Sequence, residues 1–283
     1  MIPVAPLAGL MFVVLAGMAV VMLFAFVAQI IARDTGWVDV FWTFGTGAAA
    51  AAAALWPLQG GASGPTERQW LAAALAAIWA VRLGGYILLR VVRGTEEDAR
   101  YRDLRREWGP SFNLRLFGFL LIQAPVGAIL ALAVALAART QTGPLGLRDA
   151  AAVTLWLIAL AGEAIADAQM GRFRANPENR GKICEQGLWG WSRHPNYFFE
   201  WLIWLAYPVM ALSFDSLASF ASLAAPAVMY LILRFATGVP PLERSMAASR
   251  GELFHDYQAR VSAFIPMPPR RRPHPGAPQP AGK

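Results

Sequence analysis

Long apolar stretches alternate with short polar segments along most of the chain. A helix needs about 20 mostly apolar residues to cross a bilayer, and seven stretches reach or approach this length. They cover residues 6–31, 37–57, 70–90, 114–138, 148–169, 197–214 and 217–237. The pattern therefore predicts an all-α integral membrane protein with about seven transmembrane helices, six or eight being the alternatives.

The two ends of the chain differ from its middle. Residues 1–32 carry no charge and have neither a basic start nor a short apolar core, so we expect a first span and not a cleaved signal peptide. From Pro266 onward prolines and arginines dominate, a composition typical of disorder. We therefore expect one transmembrane domain over residues 1–266 and a disordered cytoplasmic tail over 267–283.

Basic residues are distributed unevenly between the two sides of the predicted helices. With the N-terminus outside, 21 Lys and Arg residues fall on the cytoplasmic side and three, Arg68, Arg139 and Arg148, on the other. Basic loops stay in the cytoplasm, so the pattern predicts the N-terminus outside and the C-terminus inside. The same loops account for the net charge of +7, and we expect no nucleic-acid partner.

The composition agrees with lipid as the main solvent. Only 15% of the 283 residues are charged and the mean hydropathy is +0.42, whereas a soluble domain has about 25% charged residues. Cys184 is the single cysteine and cannot form an intrachain disulfide. The three histidines are too few and too scattered for a haem or zinc ligand set, so no metal site is expected.

Six ionisable side chains lie within predicted spans, where charge is costly and usually faces a cavity or the bundle interior. They are Asp39, Arg82, Glu163, Asp167, Glu200 and Arg234. All but Asp39 and Arg82 lie near predicted cytoplasmic ends of spans, so we expect a polar pocket open to the cytoplasm. The alternative is a network of internal ion pairs that serves only assembly, for example Asp39 with Arg82.

Two helix faces carry polar residues at helical spacing. Asp39, Thr43 and Thr46 share one face of the second predicted span. Asp167 and Arg174 belong to a stripe at the end of the fifth span, which we expect to reach the cytoplasmic surface.

The densest group of candidate residues lies in the segment 172–200, RFRANPENRGKICEQGLWGWSRHPNYFFE. Its arginines suit bidentate bonds to phosphate, and its aromatic rings suit stacking on a nucleobase. These residues are Arg172, Arg174, Arg180, Lys182 and Arg193, with Trp189, Trp191 and Tyr197. The segment indicates a site for a phosphorylated, adenine-bearing cofactor, and a basic loop with an aromatic belt is the alternative.

At SRHPNYFFE, residues 192–200, the chain resembles a superfamily of membrane enzymes: steroid 5α-reductases, sterol C14 reductases and isoprenylcysteine carboxyl methyltransferases. It is most similar to the bacterial 5α-reductase-like branch known as DUF1295. The resemblance extends from TGWVDVFWTFG at 35–45 to YQARVSAFIP at 257–266. It implies an NADPH-dependent oxidoreductase of lipid metabolism that reduces a conjugated C=C bond in a lipophilic, steroid-like or isoprenoid-like substrate.

The resemblance also implies the site residues, on the cytoplasmic side of what would be the inner membrane of a bacterium. The positions that match NADPH contacts or the surrounding motif are Arg82, Tyr86, Arg93, Asp167, Arg174, Arg193, His194, Asn196, Tyr197 and Glu200. Asp39 is the catalytic candidate, because it stands where the steroid reductases have a Gln-Glu pair. Trp79 occupies the position of their carbonyl-binding tyrosine. We expect a donor near Asp39 to stabilise an enolate while the nicotinamide supplies a hydride.

Three alternatives stay open. The methyltransferases also have R-H-P-x-Y, an acid before a tyrosine, and an F-I-P ending, which Glu243, Tyr257 and residues 264–266 match, so S-adenosylmethionine is the alternative cofactor. A non-enzymatic protein would bind anionic lipid headgroups through the 172–194 loop. A third protein would keep the cofactor site without the steroid chemistry. The partners expected are a lipophilic small molecule and membrane lipids, and no oligomeric state follows from the sequence.

Overall fold

A computed structural model describes residues 4–58, 64–94, 99–140 and 143–270. Within these ranges the chain forms ten α-helices, joined by short 3-10 turns and by one isolated β-bridge between Ser192 and Ser262. The helices are α1 (Val4–Ala32), α2 (Gly36–Leu55), α3 (Glu67–Arg93), α4 (Ala99–Trp108), α5 (Phe112–Ala137), α6 (Leu147–Ala175), α7 (Pro195–Ala211), α8 (Ala224–Leu231), α9 (Val239–Arg250) and α10 (Glu252–Arg260).

Six stretches of the described residues are long and apolar enough to cross a membrane. They are Ala5–Ala32, Gly36–Leu55, Glu67–Arg93, Tyr101–Ala137, Leu147–Ala175 and Leu217–Arg250. The predicted span at 197–214 is helix α7, whose 17 residues fall short of the about 20 that a crossing needs. The prediction of an all-helical membrane protein is confirmed. The number seven and the orientation stay predictions.

Two segments differ from the elements that the sequence predicts. The charged segment 93–107, which lies between the third and fourth predicted spans, contains α4, an amphipathic helix that buries Tyr101 on one side. The span expected at 217–237 is a composite of a 3-10 turn (Leu217–Leu223), α8 and a π-helical turn (Ile232–Ala236). Prolines in the first turn of α9 end this run, because proline has no N–H to continue a helix.

The chain divides into two compact units, and the single domain over residues 1–266 stays a prediction. The first unit comprises residues 1–160 and 201–232, and the second comprises residues 161–200 and 233–283. Residues 271–283, most of the predicted disordered tail, lie outside the described residues. Residues 267–270 are described, and the N–H groups of Met267 and Arg270 donate to the carbonyl oxygens of Trp191 and Arg260.

In the first unit, α2 lies among α1, α3 and α5. Its alanine-rich half packs closely because the side chains are small: Ala50, Ala53 and Ala54 are fully buried. At Gly47 a Cβ atom would overlap the Cβ atom of Ala80 on α3, so only glycine permits this approach. The low-complexity run is therefore a packing surface, as close helix packing by small residues in membranes suggests.

The three arginines assigned to the outer side are used by the protein itself. Arg68 and Asp149 form a buried, bidentate ion pair with N–O distances of 2.7 and 2.8 Å. Arg139 donates to the carbonyl oxygens of Ala135 and Trp56, and Arg148 donates to that of Leu212. These guanidinium groups satisfy carbonyl oxygens that helix ends leave without a partner.

The second unit has a small apolar core on α10. Phe254, Tyr257 and Val261 are buried there, and Ile183 and Met246 pack against them. The surrounding contacts are mostly polar, and they converge on the turn that begins α7.

Candidate functional site

The turn of residues 192–195, at the start of α7, is held by its own side chains. The buried Ser192 hydroxyl donates to the carbonyl oxygen of Phe264 (2.8 Å) and accepts from the backbone N–H of His194 (3.1 Å). Ser192 thus fixes the backbone two residues before Asn196.

Glu243 of α9 is the centre of a hydrogen-bond network, which we call the Glu243 clamp: Arg193, His194, Glu243 and Gln258. Arg193 donates to both carboxylate oxygens, from Nε at 2.7 Å and from Nη2 at 3.2 Å. Gln258 Nε2 donates to Oε2 at 2.8 Å, and His194 Nε2 lies 3.1 Å from Oε1. The Nη1 group of Arg193 donates to the carbonyl oxygens of Gln258 and Val261. The clamp therefore joins the turn, α9 and α10.

His194 is a neutral side chain in this clamp. Burial lowers its pKa from the ordinary 6.5, although the neighbouring carboxylate of Glu243 acts in the opposite direction. A carboxylate only accepts hydrogen bonds, so Nε2 of the neutral ring carries the hydrogen and Nδ1 is the acceptor. The ring of Tyr197 stacks on it, with centroids 5.6 Å apart.

The chain after α10 is fastened to the residues before α7. Burial raises the pKa of Tyr257, and its protonated hydroxyl donates to the carbonyl oxygen of Trp189 at 2.6 Å. The backbone N–H of Arg193 donates to the carbonyl oxygen of Ser262 at 2.8 Å. One hydrogen-bond network therefore joins the R-H-P motif to Glu243, Tyr257 and the F-I-P ending at 264–266. These are the features that the methyltransferase resemblance singled out.

Three buried carboxylates lie on the parts of α6 and α7 that belong to the second unit. Glu163 and Asp167 are four residues apart on α6, and Glu200 lies four residues after Asn196 on α7. Asn196 Nδ2 donates to Asp167 Oδ1 at 3.4 Å, a long bond that leaves room for a closer partner. Two of the predicted cofactor contacts, far apart in sequence, are therefore neighbours.

Basic and aromatic groups of the 172–194 segment face the exterior. The side chains of four of its cations are exposed; these are Arg172, Arg174, Arg180 and Lys182. Trp191 is 50% exposed, whereas Trp189 is buried and donates from Nε1 to the carbonyl oxygen of Ala166. A ligand at the predicted phosphate and nucleobase site can therefore reach Trp191 and the four cations. Trp189 belongs to the interior of the protein.

In the first unit, the catalytic candidate Asp39 has a phenol beside it. The hydroxyl of Tyr101 on α4 donates to Asp39 Oδ1 at 3.1 Å. Thr43, on the same polar face, uses its hydroxyl for the backbone carbonyl of Asp39. Trp79, which takes the place of the reductases' tyrosine, is fully buried and meets Trp204 edge-on at 4.8 Å. A phenol is therefore present near Asp39, although it comes from another helix than the resemblance implies.

Arg82, Tyr86 and Arg93 lie on one face of α3, at spacings of four and seven residues. Arg82 is half-buried, whereas Tyr86 and Arg93 are exposed. All three belong to the first unit, and the other seven predicted cofactor residues belong to the second. Their common role in binding a cofactor stays a prediction.

The sequence missed two residues that the structure places beside candidate residues. Tyr101 could have been found from the sequence, because Tyr101, Leu104 and Trp108 recur at helical spacing among charged residues and so predict a buried helix face. Gln258 had none, because its role depends on how α10 packs against α9. No group of three or more His, Cys, Asp or Glu side chains in the described ranges is arranged to hold a metal ion.

Comparison with known proteins identifies the family of the chain. Neither the curated proteins nor the solved structures contain a match. The family model described as "Protein of unknown function (DUF1295)" matches residues 25–261, which is most of the chain and includes α2 to α10, the Glu243 clamp and the buried carboxylates. The chain is a member of the DUF1295 family.

Proposed function

We propose that this protein is a membrane-embedded, NADPH-dependent reductase of a conjugated C=C bond in a lipophilic, steroid-like or isoprenoid-like substrate. The observation that carries the proposal is the hydrogen bond between Asn196 and Asp167. The resemblance to the reductases implies both residues as cofactor contacts, and 29 positions of sequence separate them. A buried acid and an amide held side by side suit the alternating donors and acceptors of a ribose or a carboxamide.

The residues of the second unit fit the chemical groups of NADPH. Its phosphates require guanidinium or ammonium donors, which Arg172, Arg174 and Lys182 present at the surface. Its adenine requires an aromatic or guanidinium face, which the half-exposed ring of Trp191 provides. Its ribose and carboxamide require neutral donors and buried acceptors, such as Asn196 and Asp167.

Arg193 and His194 have a different role in the proposal from the one that the motif suggests. Arg193 donates to three protein partners and His194 is bound to Glu243. We assign both as positioning residues that fix the start of α7, and hence Asn196. Among the second-unit residues that the resemblance implies as cofactor contacts, Arg174 is the exposed cation, and we assign it to direct binding of the cofactor.

The bound cofactor would supply the two electrons that reduce the conjugated bond. The protein would bind and orient the reactants and exclude water. In the first unit, the Tyr101 hydroxyl donates to Asp39 Oδ1. Turned toward a substrate carbonyl, this O–H would donate to the charge that develops on the carbonyl oxygen.

A methyltransferase that uses S-adenosylmethionine is the second candidate. It is favoured by the Glu243 clamp, since the acid and the R-H-P motif that these enzymes share are joined in one network here. Under this alternative the same exposed arginines would bind the carboxylate of the methionine. A non-enzymatic lipid-binding protein would require neither cofactor.

Thermal unfolding of the detergent-solubilised protein with NADPH, NADH or S-adenosylmethionine tests these proposals. A ligand at 100 times its dissociation constant stabilises by about 2.7 kcal/mol, which a midpoint shift resolves. We expect stabilisation by NADPH that is lost in Arg174→Ala and retained in Arg244→Ala, an exposed arginine of α9. Stabilisation by S-adenosylmethionine alone would overturn the reductase proposal in favour of the methyltransferase. No shift with any ligand would overturn both enzyme proposals.

A further inference from the structure

A polar cleft of about 250 Å³ lies in the first unit, and none of its lining residues is one that the resemblance implies. It is lined by Gln29, Ile30, Arg33, Arg105 and Asn113. It lies where α1 ends and α5 begins, on the side that the charge distribution predicts to be cytoplasmic. Pockets for drug-sized ligands measure about 300–1,000 Å³, so the cleft suits one chemical group of a ligand.

Gln29 is a buried donor in the wall of this cleft. It is 2% exposed, and its Nε2 has no hydrogen-bond partner among the described residues. A buried amide is normally hydrogen-bonded, because leaving it unsatisfied forfeits the bonds that water would make. An oxygen of a ligand in the cleft would restore them.

Two guanidinium groups line the same cleft, and its described lining includes no carboxylate. The Arg105 guanidinium lies 4.1 Å from the centroid of the Phe112 ring, which fixes its position. Arg33 has a φ of +54° directly after the end of α1. Glycine is favoured at such a left-handed position, so an arginine there carries a backbone cost, and its side chain lines the cleft. The lining thus combines two cations with a neutral donor, the set that binds a phosphate group.

The lining of the cleft includes an apolar, exposed side chain, because Ile30 is 47% exposed. Ile30 lies near the end of one stretch that is apolar enough to cross a membrane, and Asn113 lies in another. A cationic cleft with an exposed aliphatic side chain in its lining, beside helices of this length and composition, matches a phosphate that carries acyl chains better than a free phosphate ion.

We propose that the cleft of Gln29, Arg33, Arg105 and Asn113 binds the phosphate group of an anionic phospholipid of the surrounding membrane. The two arginines bind the phosphate oxygens, the Gln29 amide donates a further bond, and an acyl chain lies against the exposed side chain of Ile30. This site is independent of the proposed reductase activity. It ties the end of α1 to the start of α5 through a lipid.

Thermal unfolding of the full-length protein in detergent tests the site, with dihexanoyl phosphatidylglycerol, dihexanoyl phosphatidylcholine and inorganic phosphate as separate additions. We expect phosphatidylglycerol to raise the midpoint most. Arg33→Gly and Arg105→Gln should each weaken its apparent affinity by about tenfold or more, since each removes charge-assisted bonds. Arg106→Gln removes the same charge from an exposed position of α4 outside the cleft and should change the affinity less than twofold.

The ligand-free stability of two variants separates binding from a structural role. Arg33→Gly relieves the left-handed residue, and Gln29→Leu removes the unpartnered amide. Both should unfold no earlier than the parent protein without lipid, yet lose the response to phosphatidylglycerol. An equal response to inorganic phosphate would overturn the lipid assignment, and an equal loss in Arg106→Gln would overturn the site.

Discussion

The two compact units of this protein are stabilised in different ways. In the first unit, helices approach closely through small residues such as Gly47 and Ala50, and most buried side chains are apolar. In the second unit, the carboxylate of Glu243 accepts bonds from three side chains, and backbone bonds fasten the chain after α10 to the α7 turn.

The difference follows from what each unit packs. Long apolar helices gain little from hydrophobic burial against each other in lipid, so their association depends on close contact and on a few satisfied polar groups. The second unit contains short helices and loops, whose backbone groups need partners that no long helix supplies. The candidate chemistry is concentrated in the second unit because polar groups are held there at defined positions.

The largest effect is expected from breaking the buried ion pair of the first unit. Arg68→Met leaves Asp149 buried without its guanidinium partner, which should cost about 3–5 kcal/mol of unfolding free energy. Chemical unfolding in detergent measures this. The double variant Arg68→Met with Asp149→Leu should recover most of the loss, and equal stabilities of the single and double variants would show that the unpaired Asp149 carboxylate is not what costs the stability.

A smaller effect is expected from adding one methyl group to the α2–α3 contact. In Gly47→Ala the new Cβ overlaps Ala80, so the helices must separate, at a cost of about 1–3 kcal/mol. Gly85→Ala on α3 is the matched control, because nothing lies within 4 Å of its Cβ position. It should be neutral or slightly stabilising, since alanine favours helix. Similar behaviour of the two variants would contradict packing by close approach.

The smallest effect is expected from acidification, and it concerns the second unit. Because burial lowers the pKa of His194 below 6.5, the unfolded chain takes up a proton at a higher pH than the folded one. The contribution of His194 to the free energy of unfolding should be fully present above pH 6.5. It should decrease as the pH falls toward the pKa of His194 in the folded protein, by at most about 1.4 kcal/mol per pH unit. Unfolding of the parent protein and of His194→Gln between pH 7.5 and 5 measures it, and identical pH profiles would contradict a neutral His194 in the clamp.

Much of the membrane-embedded part was predictable because lipid imposes a simple length rule. Six predicted spans coincide with stretches long enough to cross, and the alanine run near Gly47 is a packing surface as expected. The span predicted at 197–214 is not among these stretches, because α7 has only 17 residues. The span predicted at 217–237 lies within a stretch long enough to cross, but its helix is interrupted by a π-helical turn before two prolines.

The candidate site was predictable as a list of residues but not as a set of partners. Asp167, Asn196 and Glu243 were singled out by the motifs, yet the pairing of Asn196 with Asp167 and the binding of Arg193 to Glu243 were not. A motif gives the residue types that chemistry needs. It does not show whether a guanidinium group is available to a ligand or already bound by a carboxylate.

The sequence by itself determined the class of this protein: an all-helical membrane protein of the DUF1295 family, with polar chemistry concentrated near the R-H-P motif. Its apolar run lengths and motif letters are local properties, so they can be read along the chain. Only the tertiary structure decided that Arg193 and His194 bind Glu243, that Tyr101 donates to Asp39, and that Gln29 is buried in the same cleft lining as Arg33. Each of these contacts joins residues whose neighbourhood is set by packing, because a hydrogen bond depends on distances of a few tenths of an ångström.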